Sequence, residues 1–132
     1  MTRFALDAAA LLRLLDEGRP ISAGHALVAP AVIRSDVLAR LYADVRAGRR
    51  DEGDARERLT RLAETKMRFL GDRVSRATAW TVATRHGWDD IGPAEYVAVA
   101  LLQADAIVSD EPAILGALGD DIAVAAYDDL FR

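Results

Sequence analysis

The sequence predicts an α/β fold, with a central parallel sheet of about five strands and helices on both faces, built as one domain over residues 1–132. Three observations lead there. Short runs rich in Val, Ile, Leu and Ala alternate with helix-length segments, as expected for strands buried on both sides between crossover helices. A length of 132 residues suits one domain. No repeat, low-complexity tract or Pro/Gly/Ser-rich linker divides the chain, and 52% hydrophobic against 29% charged residues can fill a core and keep the surface wet.

The elements follow in order. Residues 3–7 read as a first strand and 9–17 as a helix stopped by Gly18 and Pro20. "HALVAP" (25–30) is a second strand. A long helix is expected over about 31–47, with Val32, Leu38, Leu41, Tyr42 and Val45 mostly on one face. "GRRDEGD" breaks it. A charged helix follows at 54–65, with Leu59 and Leu62 as a narrow apolar stripe and Asp54/Arg58 and Glu57/Arg61 spaced to pair along it. "MRFL" (67–70) is a third strand. Asp72 is placed to cap a helix running to about 86. "PAEYVAVALLQ" (93–103) is helical, with Pro93 in the first turn where its missing N–H costs nothing. Apolar nearly all round, it should be buried. "DAIVS" (105–109) is a fourth strand, a short helix covers about 111–117, and "IAVAAY" (122–127) is a fifth strand.

Composition excludes several classes of function. Without cysteine there is neither a disulfide nor a thiolate zinc site. No apolar run approaches the roughly 20 residues of a membrane span. The N-terminus lacks the basic, apolar and small-residue regions of a secretion signal, so a cytoplasmic protein is expected. A formal net charge of -4 offers no global attraction for nucleic acid, so such binding would need a local basic patch. His25 and His86 have no partner at metal-ligand spacing and read as local hydrogen-bonding residues. Trp80 and Trp88 read as packing residues, one in the core and one beneath the acidic loop.

The informative residues are acids. In parallel sheets, ligands bind beyond the carboxyl ends of the strands near a topological switch point. Asp7 ends the first strand, and Asp110 and Glu111 follow the fourth. Asp36 lies on the long helix after the second strand, and Glu95 lies in the first turn of the buried helix. Gathered carboxylates repel one another unless a hard cation or a shared proton offsets them, and oxygen-only sites suit Mg²⁺ or Mn²⁺ and phosphate chemistry. Each acid also has a structural reading. Asp7 and Asp110 can cap the helices that follow them, Asp36 can sit on a solvated helix face, and Glu95 can be a first-turn acid favoured by the helix dipole.

Three segments carry a family resemblance. "FALDAAALLRLL", "LVAPAVIRSDVLARL" and "HGWDDIGPAEYVAVALLQADAIVSDEPAIL" occur in the order and spacing of the PIN-domain nucleases, and the chain resembles the VapC toxins of bacterial toxin–antitoxin pairs. The resemblance implies a single PIN-like domain and an endoribonuclease that uses Mg²⁺ (or Mn²⁺). It implies metal ligation and catalysis by Asp7, Asp36, Asp110 and Glu111, with Glu95 as a further candidate metal ligand. It also implies a homodimer and silencing by a small antitoxin protein. There are departures: Asp36 stands where the family usually has glutamate, Pro93 where it has aspartate, and Ser109 where it has threonine, with Asp110 one step early. A degenerate PIN fold that binds RNA or a protein partner without cleaving is the alternative. Arg40, Arg46, Arg49 and Arg50 are candidate RNA contacts as a phosphate-tracking rim, unless the arginine-rich hairpin is only a solvated surface.

Overall fold

In the computed structural model, which describes residues 1–132, five strands form one sheet: β1 (Thr2–Leu6), β2 (His25–Pro30), β3 (Arg68–Leu70), β4 (Ala106–Val108) and β5 (Ala123–Val124). Their order is β3-β2-β1-β4-β5, parallel throughout. Six α-helices connect and flank them: α1 (Ala8–Glu17), α2 (Ile33–Arg46), α3 (Glu52–Glu64), α4 (Arg73–His86), α5 (Gly92–Gln103) and α6 (Pro112–Leu118). A 3₁₀ helix, Tyr127–Phe131, closes the chain. The architecture is α/β and fits a single PIN-like domain.

Successive residues of a strand face opposite sides of the sheet. Phe4, Ala5 and Leu6 are buried in succession, as are Ala106, Ile107 and Val108, so both faces of the centre are covered. From β1 the chain builds outward through β2 to β3, then returns over α4 and α5 to place β4 on the other side of β1. The direction of winding therefore reverses between β1 and β4. The segments leaving their carboxyl ends diverge there and open a crevice.

Helix α5 lies over β1 and β2 and packs against α4. Ala94 and every residue from Tyr96 to Ala100 are buried, as its apolar sequence requires. Its two ends differ: Gly92, Pro93 and Glu95 are half-buried in the first turn, and Leu101 and Leu102 are each 39% exposed. The side chains that α4 buries are small or medium: Ser75, Ala79, Val82 and Ala83. Trp80 is not in the core as expected: one position beyond Ala79, it points outward and is 72% exposed. Trp88 is partly buried and stacks on His86, with ring centroids 5.2 Å apart. His25 packs edge-on to Phe4, and its Nδ1 is buried without a partner, so neither histidine is the hydrogen-bonding residue expected.

Other expectations shift by a helical step or a few residues. The buried ridge of α2 is Ile33, Val37 and Leu41, while Leu38 and Tyr42 face solvent at 51% and 67% exposure. The fifth strand shrinks to Ala123–Val124, because the chain turns into the 3₁₀ helix to bury Tyr127 and Leu130. Gly18 ends α1 as expected, at φ 62°, a left-handed conformation that L side chains avoid. No helix is long and apolar enough to cross a membrane.

Candidate functional site

The crevice at the β1/β4 switch point is an open cleft of about 1270 Å³. Asp7, Asp36, Glu95, Asp110 and Glu111 all line it, with Arg13, Arg40 and Tyr96. The five acids come from four places in the chain, so the fold does bring the sequence-predicted set to one cleft.

Asp7 is the first residue past β1 and the N-cap of α1. Its Oδ1 accepts the backbone N–H of Ala10 at 2.8 Å. Its Oδ2 accepts the hydroxyl of Ser109, just past β4, at 2.6 Å. Ser109 Oγ in turn accepts the N–H of Glu111 at 3.0 Å. Asp7 is only 7% exposed, and no cation stands within ion-pair distance of it. Burying a lone carboxylate is costly, and here one hydroxyl and one helix-end N–H carry most of the compensation. Capping and a place in the cleft prove compatible.

Asp36 sits in the first turn of α2, half-buried, and its Oδ2 accepts the phenol of Tyr96 on α5 at 2.6 Å. Burial, then the hydrogen bond to Asp36, raises the Tyr96 phenol far above its usual range, with the charges of Asp36 and Asp7 adding and Arg40 opposing. Tyr96 therefore keeps its proton and acts as a fixed donor. Arg40 lies one turn along α2 from Asp36, the spacing of a helical ion pair, yet does not pair with it. The magnitudes explain why: a hydrogen bond to a charged group contributes about 1.5–3 kcal/mol net, an exposed i,i+4 pair only about 0.3–0.5 kcal/mol. The phenol wins. Glu95 is half-buried, and desolvation, then the nearby Asp36 charge, lifts its carboxyl above the usual glutamate value.

The loop after β4 departs from expectation at its cap. Glu111, not Asp110, is the N-cap of α6, its Oε1 accepting the N–H of Ala113 at 3.5 Å. Asp110 is exposed on the cleft wall. Pro93, in the first turn of α5, contributes wall but no oxygen donor. No three His, Cys, Asp or Glu side chains group closely enough to hold a metal ion as they stand, so the expected cage of converging acids is not formed. Asp7 gives one oxygen to Ala10 and the other to Ser109, each keeping a second lone pair, and Asp36 gives only Oδ2, to Tyr96. The remaining donor set is still all oxygen and pairs with no arginine. It fits a cation held by one or two carboxylates with water or substrate oxygens filling the other positions, the usual manner for Mg²⁺.

The arginines divide sharply. Arg50 donates to Asp16 and Asp54, Arg58 to Asp16, and Arg61 to the Leu15 carbonyl at 2.7 Å. Arg49 pairs with Asp44 at 3.0 Å. Arg50, Arg58 and Arg61 hold the carboxyl end of α1, where cations suit the helix dipole, while Arg49 is held on α2, so Arg49 and Arg50 do not form the expected rim. Arg46 is exposed but away from the cleft lining. Arg40 alone of the four lines the cleft.

Sequence reading undervalued two hydroxyls, Tyr96 and Ser109. The signal was there: each is a polar residue in an otherwise apolar buried segment, and a buried hydroxyl needs a partner. No protein-family model matches this chain, and no curated protein matches it.

Proposed function

We propose that this chain is a VapC-like PIN-domain endoribonuclease, the toxin of a toxin–antitoxin pair, acting on RNA phosphodiester bonds in the cytoplasm with Mg²⁺ or Mn²⁺. One observation carries the reading: Asp7, Asp36, Glu95, Asp110 and Glu111 share a cleft at the switch point, and none forms an ion pair with the protein's own cations. Acids left uncompensated at the ligand-binding edge of a parallel sheet call for a counter-charge from outside.

Asp7 and Asp36 would hold the ion, with Glu95, Asp110 and Glu111 in reach of its water shell. A bound ion of this kind lowers the pKa of water and offsets charge on phosphoryl oxygens. The chain's own part is to fix Asp7 through Ser109 and Ala10, to fix Asp36 through Tyr96, and to present Arg40 to a phosphate. By the same reading the protein works as a homodimer and is silenced by a small antitoxin protein.

The test is cleavage of RNA by purified protein with Mg²⁺ or Mn²⁺. Cleavage that needs the metal and falls to background in Asp7→Asn supports the reading; no cleavage, or cleavage that survives Asp7→Asn, overturns it. The second reading, a PIN fold that binds RNA or a protein partner without cleaving, draws on Pro93 and on the lack of a three-acid group. It expects no divalent-ion stabilisation at all.

A further inference from the structure

Arg40 has a carboxylate one turn before it on α2 and another one turn after, and it pairs with neither. Asp44 is taken by Arg49 at 3.0 Å and lies 3.7 Å from Arg50. Asp36 is taken by Tyr96. Elsewhere in the helices, opposite charges at this spacing do pair: Arg13 with Glu17, Glu52 with Arg56, Asp54 with Arg58, and Glu57 with Arg61. Asp36 followed by Arg40 has the favoured orientation, acid toward the N-terminus. Something keeps these two apart, and the one hydrogen bond to the Asp36 carboxylate comes from Tyr96.

Tyr96 is built for that. Its residue is 6% exposed, anchored in the most deeply buried helix, and its hydroxyl makes the one side-chain hydrogen bond between α5 and α2. A hydroxyl fixes a carboxylate without cancelling its charge, which an arginine would do.

We propose that Tyr96 is a positioning residue that prevents Asp36 from neutralising itself on Arg40, so that one side chain remains available to a divalent cation and the other to a phosphate. This rests on the metal-site reading above and extends it to a residue that touches neither ligand. Without the phenol, Asp36 turns to Arg40, and both are lost to the cleft together.

The experiment is a Mn²⁺ titration followed by electron paramagnetic resonance, on the wild type, Tyr96→Phe, Arg40→Gln and the double variant. Tyr96→Phe keeps the buried ring, and water can reach half-buried Asp36, so the fold survives; the melting temperature without metal checks it. The expected result is a loss of Mn²⁺ affinity of roughly tenfold or more in Tyr96→Phe, and a much smaller loss when Tyr96→Phe is made on top of Arg40→Gln. Rescue by removing a cation is an effect that a merely structural tyrosine would not produce. Unchanged affinity in Tyr96→Phe, or an equal loss in both backgrounds, overturns the role of Tyr96 and leaves the metal site standing. A wild type that binds no Mn²⁺ overturns both.

Discussion

Asp7 and Asp16 stand at opposite ends of α1 and live in opposite electrostatic worlds. Asp16, near the carboxyl end, meets Arg50 at 2.7 Å and Arg58 at 2.8 Å, and these arginines also hold Asp54. The hydrogen bond from Arg50 is the main reason its carboxyl titrates below the usual aspartate value, against some desolvation. Asp7, at the amino end, is far more buried, yet it meets only a hydroxyl and a backbone N–H. Two acids on one short helix thus show what each end is for. A carboxylate with cations packed around it is part of the scaffold, and one held in place by neutral donors keeps its charge for a partner.

Substitution should separate the two ends in size. Asp16→Asn removes one of the two carboxylates that Arg50 and Arg58 share and leaves both arginines, each only 13% exposed, to Asp54. Breaking a fully buried pair costs about 3–5 kcal/mol. Asp16 is itself 38% exposed and screened, and its two pairs at up to about 1 kcal/mol each give an expected loss of about 1–2 kcal/mol, a fall of about 4 °C in melting temperature per kcal/mol. Asp36→Asn, in contrast, keeps an acceptor for Tyr96 and relieves repulsion with Glu95. Its stability without metal should stay within about 1 kcal/mol of wild type. Equal losses in the two variants, measured by thermal melts in chelator, would erase the distinction.

Divalent ions give the next effect. Mg²⁺ at ten times its Kd should stabilise the wild type by about 1.4 kcal/mol through mass action. Asp36→Asn should abolish that response and Asp16→Asn should retain it. A melting temperature indifferent to Mg²⁺ in the wild type favours the non-cleaving reading of the fold.

The distinction also explains what the sequence let one see. The α/β alternation, the caps at Asp7 and Asp72 and the i,i+4 pairs of α3 rest on local rules, and all are found. So is the gathering of acids at the strand ends, because a parallel sheet fixes where its carboxyl edge lies. The fate of the arginines was not legible. Arg50 is committed by Asp16, remote in sequence, and no spacing announces that pair. The same holds for Tyr96 and Asp36, which meet only because α2 and α5 flank one cleft. Trp80 misled for the opposite reason: its size suggests core, but the buried face of α4 runs through Ala79, Val82 and Ala83 and leaves it outside.

The smallest effect, in pH, is the most direct reading of the contrast. Asp16 titrates below 3.8 in the fold, so its contribution is present above that value and is lost as pH falls through the folded pKa. Glu95 titrates above 4.5 in the fold, chiefly from desolvation and then from Asp36, so its charged form weakens the fold at neutral pH. As pH falls through that raised pKa, Glu95 takes up a proton and the penalty disappears; below 4.5 the unfolded chain is protonated as well and nothing more is gained. In chelator, Glu95 should therefore lend stability as pH falls from neutrality toward 4.5, and Asp16 should withdraw it below 3.8. Glu95→Gln should flatten the upper limb of a stability–pH curve and leave the lower one, and Asp16→Asn the reverse. Curves for the two variants that run parallel to the wild type would mean that cleft and scaffold acids feel the same surroundings, and the contrast between the two ends of α1 would fall with them.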